Sequence, residues 1–235
     1  VILGQGELVR ELPGHVKVLN RRYRDTSVLS EHGRSHIQKT VVRCFFHNGK
    51  WFRKLFHLVL IACDMAKRRN LQFDKLFWRI LSDGGEYPKE EYDLAIAYLE
   101  GGATYFTADH VKAKKKAAFV HIDYGNAGYS RKTDLDCYAA YDRIFAVSEE
   151  VRDNFLHVYP EWEGKMGVFH NIINRERILA LAARRGGFSD SFDGLRLLTV
   201  GRLTRQKAYD IAVEVMKRIK EAGYRARWYV LGEGD

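Results

Sequence analysis

The amino-acid sequence predicts an α/β protein built on parallel β-sheets. Short apolar runs of strand length alternate with segments of helical periodicity along most of the chain, which is typical of parallel strands covered by helices on both faces. Hydrophobic residues make up 46% of the 235 residues, which is ample for a buried core. Sheets of this kind bind ligands beyond the carboxyl ends of their strands, so the loops there are where a site is expected.

Most of the predicted elements lie in the first three quarters of the chain. The apolar run at 55–66 predicts a buried helix, because it is much shorter than the roughly 20 residues needed to span a bilayer and contains His57 and Asp64. Residues 20–48 show no clear periodicity. The other expected elements are strands at 15–19, 93–99, 117–122, 143–147 and 166–170, and helices at 73–81, at 134–141 and from Glu149 onward, after a Ser148 cap.

A polar stretch divides the chain into two predicted domains. Residues 1–173 are interpreted as a Rossmann-like domain, 174–193 as a linker with a helix at 175–185, and 194–235 as the start of a second such domain. There, a strand at 195–200 precedes a helix that ends near Gly223, and a further strand follows. Both chain ends look cut, so a truncated fragment is expected. The stripe expected to be buried on the helix is Ile211, Ala212, Val215, Met216 and Ile219.

Composition narrows the functional classes without choosing one. The net charge of +9 suits a protein that works beside anionic lipid, on anionic substrates or on nucleic acid. Three widely spaced cysteines favour reduced thiols in the cytoplasm over a disulfide framework. Cys44 and His47, like His32 and His36, have the spacing of metal ligands, but no second cysteine pair completes a tetrahedral set. No metal site is therefore expected.

The basic loop at 201–207, between a strand and a helix, is the most informative segment. The amino end of a helix has unpaired backbone N–H groups and about half a positive charge, which stabilises a bound anion. Arg202 can bind two phosphate oxygens with its planar guanidinium, and Lys207, in or near the first helical turn, adds a point charge. These residues predict a diphosphate site beside Gly201. The alternative is a solvated basic loop, since most such cations are surface charges.

The order and spacing of several motifs carry a family resemblance. Residues 201–207 read Gly-Arg-Leu-Thr-Arg-Gln-Lys, and residues 228–235 read Trp-Tyr-Val-Leu-Gly-Glu-Gly-Asp. With the motifs at 98–101, 119–124, 146–151 and 168–171, they resemble family 4 of the retaining glycosyltransferases, which have the two-domain GT-B fold. Ala208 departs from the family pattern, which usually has glycine after the lysine. The family's amino-terminal Gly-rich loop and paired glutamates are missing, so the chain alone is expected to be inactive.

The resemblance assigns roles to residues that follow strands. His121 matches the histidine that faces the transferred sugar, and Asp123 is a weaker acceptor-side candidate. Glu100 and Gly101 match a loop that borders the acceptor, and Glu233 matches a residue near the nucleotide. Each has a structural alternative, since a histidine here can be a packed core residue and an acidic residue can be solvated in a turn.

The activity that the resemblance implies is transfer of a glycosyl group from a nucleoside-diphosphate sugar to an acceptor hydroxyl, with retention and without a metal or other cofactor. His121, Arg202 and Lys207 are the expected catalytic residues. The expected partners are the nucleotide sugar and a glycan or lipid-linked acceptor, in polysaccharide or cell-envelope glycan synthesis. Basic runs at 21–24, 67–69 and 112–116 offer a peripheral contact with the anionic inner face of a membrane, although such runs are more often solvated.

Two other functional classes stay open. Residues 1–9 contain a Gly-x-Gly after a strand-like run, as in nicotinamide-dependent oxidoreductases. Val9 stands where the third glycine belongs, and Asn20 stands where an acidic ribose partner is needed. The charge and the 13% aromatic content also suit a basic nucleic-acid-binding module, but no recognition motif is visible and no nucleic-acid partner is expected.

Overall fold

The computed structural model describes residues 12–17, 31–69, 73–84, 87–184 and 186–233. It divides the chain into two units, Val1–Ile172 and Ile173–Asp235. Each unit contains a parallel sheet together with helices, so the protein belongs to the α/β class, as the sequence predicts.

A four-stranded parallel sheet forms the centre of the first unit. Its strands are β1 (Glu91–Ala97), β2 (Lys112–Val120), β3 (Arg143–Ala146) and β4 (Met166–Val168). They lie side by side in chain order, and each pairs in parallel with the next. The order and the helical crossovers give a generally Rossmann-like architecture. All four strands overlap the predicted positions, and β2 begins earlier than predicted, at the lysine run.

Helices precede and connect these strands. In the described part of this unit they are α1 (Glu31–Phe46), α2 (Trp51–Lys67), α3 (Phe73–Asp83), α4 (Gly102–His110), α5 (Arg131–Asp134) and α6 (Glu149–Val158). Ser148 caps α6 as predicted, because its Oγ accepts a hydrogen bond from the Val151 N–H at 3.2 Å. Short 3-10 turns lie at His47–Gly49, Cys137–Ala140 and Pro160–Lys165.

One helix was not predicted, and two expected elements differ from the structure. Helix α1 occupies a segment without visible periodicity, since polar residues such as Thr40 interrupt its apolar pattern. Residues 15–17 of the expected strand at 15–19 form a turn and irregular backbone, and 18–19 lie outside the described residues. The expected helix at 134–141 is broken, because Leu135 and Asp136 have left-handed backbone with φ of 46° and 54°.

The core of the first unit lies on one face of its sheet. Ala118, Val120 and Ile144 are each 0% exposed on that face, beneath the helices. Leu94 and Ile96 point the other way and are 54% and 52% exposed. In the described part of the chain, the helices pack on the core face only. On the other face Phe119 is nevertheless 7% exposed, because the rings of Tyr98, Phe145 and Phe169 lie against it.

Helix α2 is buried on one side only, which corrects the expectation of a buried helix. Ile61 and Met65 are each 1% exposed and belong to the core. Phe52 and Phe56 lie on the opposite side and are 68% and 66% exposed. The sequence alone could not separate these faces, because apolar residues occupy both.

A buried carboxylate joins the segments that cover the sheet. Asp134 Oδ1 accepts a hydrogen bond from the Tyr105 hydroxyl at 2.7 Å, and its Oδ2 accepts from Tyr124 at 2.8 Å and Tyr159 at 2.6 Å. The tyrosines belong to α4, to the loop after β2 and to the position after α6. Burial raises the pKa of Asp134 to about 6, and hydrogen bonds from the three hydroxyls partly offset that rise.

The second unit is a two-stranded parallel sheet with helices. Its elements are α7 (Arg175–Ala182), β5 (Leu195–Val200), α8 (Tyr209–Glu221) and β6 (Ala226–Leu231), with a 3-10 turn at Arg205–Lys207. Gly223 follows the end of α8 with φ of 85°, a conformation that favours glycine, as the predicted cap requires. The predicted stripe of α8 lines an apolar cleft of about 340 Å³ with Leu197 and Trp228. It is not fully buried, since Ile211 is 62% exposed.

The segment before β5 is tied to this sheet through Asp190. Its carboxylate accepts hydrogen bonds from Arg196 at 2.7 Å, from Arg227 at 3.0 Å and from the hydroxyl of Tyr229. The Tyr229 hydroxyl, followed by Arg196, holds the pKa of Asp190 well below its usual range. Part of the segment expected as a linker is thus held by ionic bonds to the second unit.

No helix in the described ranges combines the length and apolar character required to cross a bilayer.

The Asp134 network predicts an unusual pH dependence of stability. The folded state keeps its proton up to about pH 6, whereas an unfolded chain releases it near the ordinary value of 3.8, so the folded state binds more protons between these values. We expect the free energy of unfolding to fall by up to about 3 kcal/mol as pH rises from about 4 to about 7, relative to Asp134→Asn. Urea titrations at several pH values would measure this.

The exposed Asp136→Asn change is the matched control, and it should leave the pH slope unchanged. Equal slopes for wild type and Asp134→Asn would contradict the assigned shift. Wild type and Asp134→Asn are compared at each pH because His57 also contributes to the pH dependence. Burial lowers the pKa of His57, so its contribution to the free energy of unfolding rises with pH below about 6.5.

Candidate functional site

The carboxyl ends of β5 and β6 bring two glycine loops together in the second unit. The Gly201 N–H donates to the Leu231 carbonyl at 2.9 Å, and the Leu203 N–H donates to the Glu233 carbonyl at 2.8 Å. A Cβ on Gly232 would lie 1.8 Å from the Gly201 carbonyl oxygen, so only glycine fits there. The two predicted residues Gly201 and Glu233 are therefore neighbours, at the edge where α/β sheets bind ligands.

Arg202 and Lys207 are exposed on this loop and form no ion pair with another described residue. The Lys207 side chain lies back over Gly201, since its Cε is 3.8 Å from the position that a Cβ on Gly201 would occupy. Tyr209, which the sequence analysis did not single out, donates its hydroxyl to the Gly201 carbonyl at 3.0 Å. The loop thus presents two cations that have no ionic partner among the described residues, beside closely packed backbone.

Lys207 lies near the start of α8, as the sequence predicts. It is in the 3-10 turn that precedes the helix, and the first turn of α8 begins at Tyr209. Ala208 stands between them with left-handed backbone, φ of 51° and ψ of 44°. No described side chain caps the amino end of α8, so among the described residues its first N–H groups have no side-chain acceptor and can bind an external one. Asp210 in the first turn adds a negative charge that opposes an anion there.

In the first unit, Glu100 and His121 lie at the carboxyl ends of β1 and β2. Glu100 Oε2 accepts a hydrogen bond from the His121 backbone N–H at 3.0 Å and is 3.9 Å from His121 Nδ1. The two side chains are 9% and 19% exposed. Nδ1 of His121 is buried without a hydrogen-bond partner among the described residues, so this nitrogen can still bind a polar group. The ring of Tyr98 lies 5.1 Å away and fixes one side of the imidazole.

The other two predicted residues of this unit have local structural bonds. Gly101 is the residue just before α4 and has φ of 78°. A Cβ there would lie 2.6 Å from the Tyr129 hydroxyl, so the position requires glycine. Asp123 accepts hydrogen bonds from the N–H and the side-chain amide of Asn126, at 3.3 and 2.6 Å. These bonds stabilise the turn after β2 and use both carboxylate oxygens.

Among the described residues, one group of side chains has the geometry to hold a metal ion. Ligand atoms of Asp83, Asp109 and His110 lie within 4.8 Å of one another. Lys54 is 3.6 Å from the Asp83 carboxylate, and Arg79 is 2.9 Å from that of Asp109. Because two cations already neutralise the carboxylates, the cluster is explained as an ion-pair network.

No protein-family model matches the chain, and no curated protein matches it either.

The contact between the two glycine loops predicts the effect of a single methyl group. Gly232→Ala would push against the Gly201 carbonyl and should destabilise the second unit by about 2 kcal/mol or more. Hydrogen exchange of the β5 and β6 amides would measure this. Gly186→Ala in the same unit is the control, because nothing lies within 4 Å of a Cβ there. Equal protection in both variants would show that the loops do not touch as described.

The left-handed backbone of Ala208 predicts a stabilising substitution. A non-glycine residue in this conformation costs about 1–2 kcal/mol of stability, which a glycine would recover. Part of this gain is offset, because glycine has more conformational freedom in the unfolded chain. We expect Ala208→Gly to raise the stability of the second unit by about 0.5–1 kcal/mol. Ala212→Gly, inside α8, should lower it by a similar amount. A loss of exchange protection in Ala208→Gly would contradict the assigned backbone.

Proposed function

We propose that the protein is a glycosyltransferase of the retaining GT-B type, which transfers a sugar from a nucleoside-diphosphate sugar to an acceptor hydroxyl. One observation carries the proposal: two cations without ionic partners in the described structure, Arg202 and Lys207, lie on the loop between β5 and the uncapped end of α8. Free cations beside open backbone N–H groups form a site for a phosphate group. The order of the sequence motifs supports the choice of donor.

Charge development explains how such a site would act. Breaking the glycosidic bond of the donor leaves negative charge on the departing diphosphate, and the two cations are positioned to stabilise it. Arg202 supplies a planar fork for two oxygens, while Lys207 supplies a compact charge. Together they supply the charge that a divalent metal provides in other transferases, so the proposed reaction needs no metal.

The first unit would contribute the acceptor-side residues. His121 Nδ1 is buried and accepts or donates no hydrogen bond among the described residues, and Glu100 holds the backbone of His121 in place. We assign His121 to the transferred sugar and the Glu100–Gly101 loop to the acceptor. Asp123 is a weaker candidate, because Asn126 already occupies its carboxylate oxygens. In the second unit, the exposed side chain of Glu233 could accept hydrogen bonds from ribose hydroxyls.

The two rival functions have less support. The Gly-x-Gly motif at 1–9 that suggested an oxidoreductase lies outside the described residues, as do Asn20 and the basic run at 21–24. For a nucleic-acid binder, the lysine run in β2 would have to face a phosphate backbone. Instead Lys114 and Lys115 bind Asp93 and Asp142 at 2.6 and 2.8 Å, which reduces their free charge. Polysaccharide or cell-envelope glycan synthesis in the cytoplasm, with a glycan or lipid-linked acceptor, is the proposed setting.

Nucleotide binding tests the donor site directly. We expect the chain to bind at least one of UDP, GDP, ADP and dTDP in calorimetric titrations. Arg202→Ala should weaken that binding by about 10- to 100-fold, because a charge-assisted hydrogen bond contributes about 1.5–3 kcal/mol. Lys207→Ala should act in the same direction. In a longer, catalytically active protein that contains this chain, Arg202→Ala should lower turnover of the nucleotide sugar about 100- to 1,000-fold.

Arg205→Ala provides the matched control. Arg205 is also exposed, lies on the same loop and forms no ion pair with a described residue, but it is not part of the proposed phosphate site. Its removal should change nucleotide affinity by less than about threefold through general charge alone. The proposal fails if the wild-type chain binds none of the nucleotides, or if all three variants lose affinity equally.

A further inference from the structure

The carbonyl group of Gly201, on the loop between β5 and α8, is held in place by two contacts. It accepts a hydrogen bond from the Tyr209 hydroxyl at 3.0 Å. Gly232 packs against the same oxygen, since a Cβ on Gly232 would lie only 1.8 Å from it. The Gly201 N–H is also bound, because it donates to the Leu231 carbonyl at 2.9 Å. The backbone at Gly201 therefore has a defined orientation.

The side chain of Tyr209 is in turn held by the two-stranded sheet. Tyr209 is the first residue of α8 and is half-buried. Its ring stacks on that of Trp228 in β6, with ring centroids 6.0 Å apart and an angle of 27° between the planes. The Trp228 indole N–H donates to the hydroxyl of Thr199 in β5 at 3.0 Å. A chain of contacts thus runs from both strands through Tyr209 to the loop.

The orientation of Gly201 determines that of the next N–H group, which belongs to Arg202. A peptide unit is planar, and no described peptide bond is cis, so the Gly201 carbonyl and the Arg202 N–H point in opposite directions. The N–H groups of Gly201, Leu203 and Thr204 each donate to a backbone carbonyl. The Arg202 N–H donates to none of the described residues. It is therefore a donor of fixed direction that can bind a ligand.

We propose that the Arg202 N–H is a third donor to the diphosphate, beside the guanidinium of Arg202 and the ammonium of Lys207, and that Tyr209 is the positioning residue that orients it. This inference rests on the proposed donor site. Tyr209 acts through the Gly201 carbonyl and needs no contact with the ligand. A backbone N–H that is already oriented loses little conformational freedom on binding, whereas the long side chains of arginine and lysine lose much.

A purely structural role for Tyr209 makes a different prediction. In that case its hydroxyl only ties the start of α8 to the end of β5, and its loss lowers stability by the amount of one hydrogen bond. Both roles predict that loss. Only the positioning role also predicts weaker binding of a phosphate group and a changed response of the Arg202 amide.

Titration with inorganic pyrophosphate tests the positioning role. Tyr209→Phe keeps the ring that stacks on Trp228 and removes only the hydroxyl. It should lower the calorimetric affinity for pyrophosphate about 3- to 10-fold, which corresponds to one hydrogen bond. Tyr224→Phe is the matched control in the same unit. Its side chain is 65% exposed, and its hydroxyl has no hydrogen-bond partner among the described residues, so affinity should stay unchanged.

Nuclear magnetic resonance of the backbone amides tests the proposed donor itself. In the wild-type chain, the amide proton of Arg202 should move to higher frequency when pyrophosphate is added, because a charge-assisted hydrogen bond is short and strong. The Thr204 amide should move much less, since it already donates to the Arg202 carbonyl at 2.9 Å. In Tyr209→Phe the shift of the Arg202 amide should be clearly reduced. The wild-type measurement needs no substitution, so it decides the question even if a variant folds poorly.

The outcomes separate this inference from the proposed function. It is overturned if the wild-type chain does not bind pyrophosphate, if Tyr209→Phe binds it as tightly as the wild type, or if the Arg202 amide does not respond. A nucleotide that binds equally well to wild type and Tyr209→Phe would support the donor site and overturn the role of Tyr209. Binding of pyrophosphate that depends on Tyr209, without binding of UDP, GDP, ADP or dTDP, would support the oriented N–H and overturn the transferase.

Discussion

The hydrogen bonding of one buried carboxylate organises the layer of segments that covers the larger sheet. Three tyrosine hydroxyls from separate parts of the chain meet at Asp134, and Arg79 donates to the backbone carbonyl of the same residue at 2.7 Å. Tyr124 follows β2 by four residues, so its anchoring also fixes the turn that begins at His121. Burying a carboxylate is unfavourable, but here its hydrogen bonds stabilise the relative positions of several segments that connect the strands.

The sequence predicted the elements whose pattern is local. The strand, loop and helix from β5 to α8 were visible from a short apolar run followed by helical spacing, and Gly223 marked the helix end. The helix cap at Ser148 could be recognised from the adjacent residues alone. The Asp134 network was not predictable, because an aspartate in a polar segment is normally expected to be solvated. Its tyrosine partners lie as far as 29 residues before it and 25 residues after it in the sequence.

Backbone conformation limited the prediction of the candidate site. The sequence indicated the cations Arg202 and Lys207 and the glycines around them, but not the 3-10 turn that keeps Lys207 out of α8. That turn follows from the left-handed backbone at Ala208, a conformation which alanine adopts only when the surrounding structure imposes it. The close approach of Gly232 to the Gly201 carbonyl is likewise a property of two strands side by side.

Charge pairing decides which cations are available for binding. The lysine run of β2 is the densest basic segment in the described chain, yet Lys114 and Lys115 bind aspartates, and Lys116 donates to the Ala108 carbonyl at 2.9 Å. Arg202 and Lys207, in contrast, have no acidic partner in the described part of the second unit. A run of lysines in a sequence therefore does not by itself predict an anion-binding surface. A lysine that is paired with a carboxylate must break that ion pair before it can bind another anion. Arg202 and Lys207 belong to no such run, and among the described residues no carboxylate neutralises them.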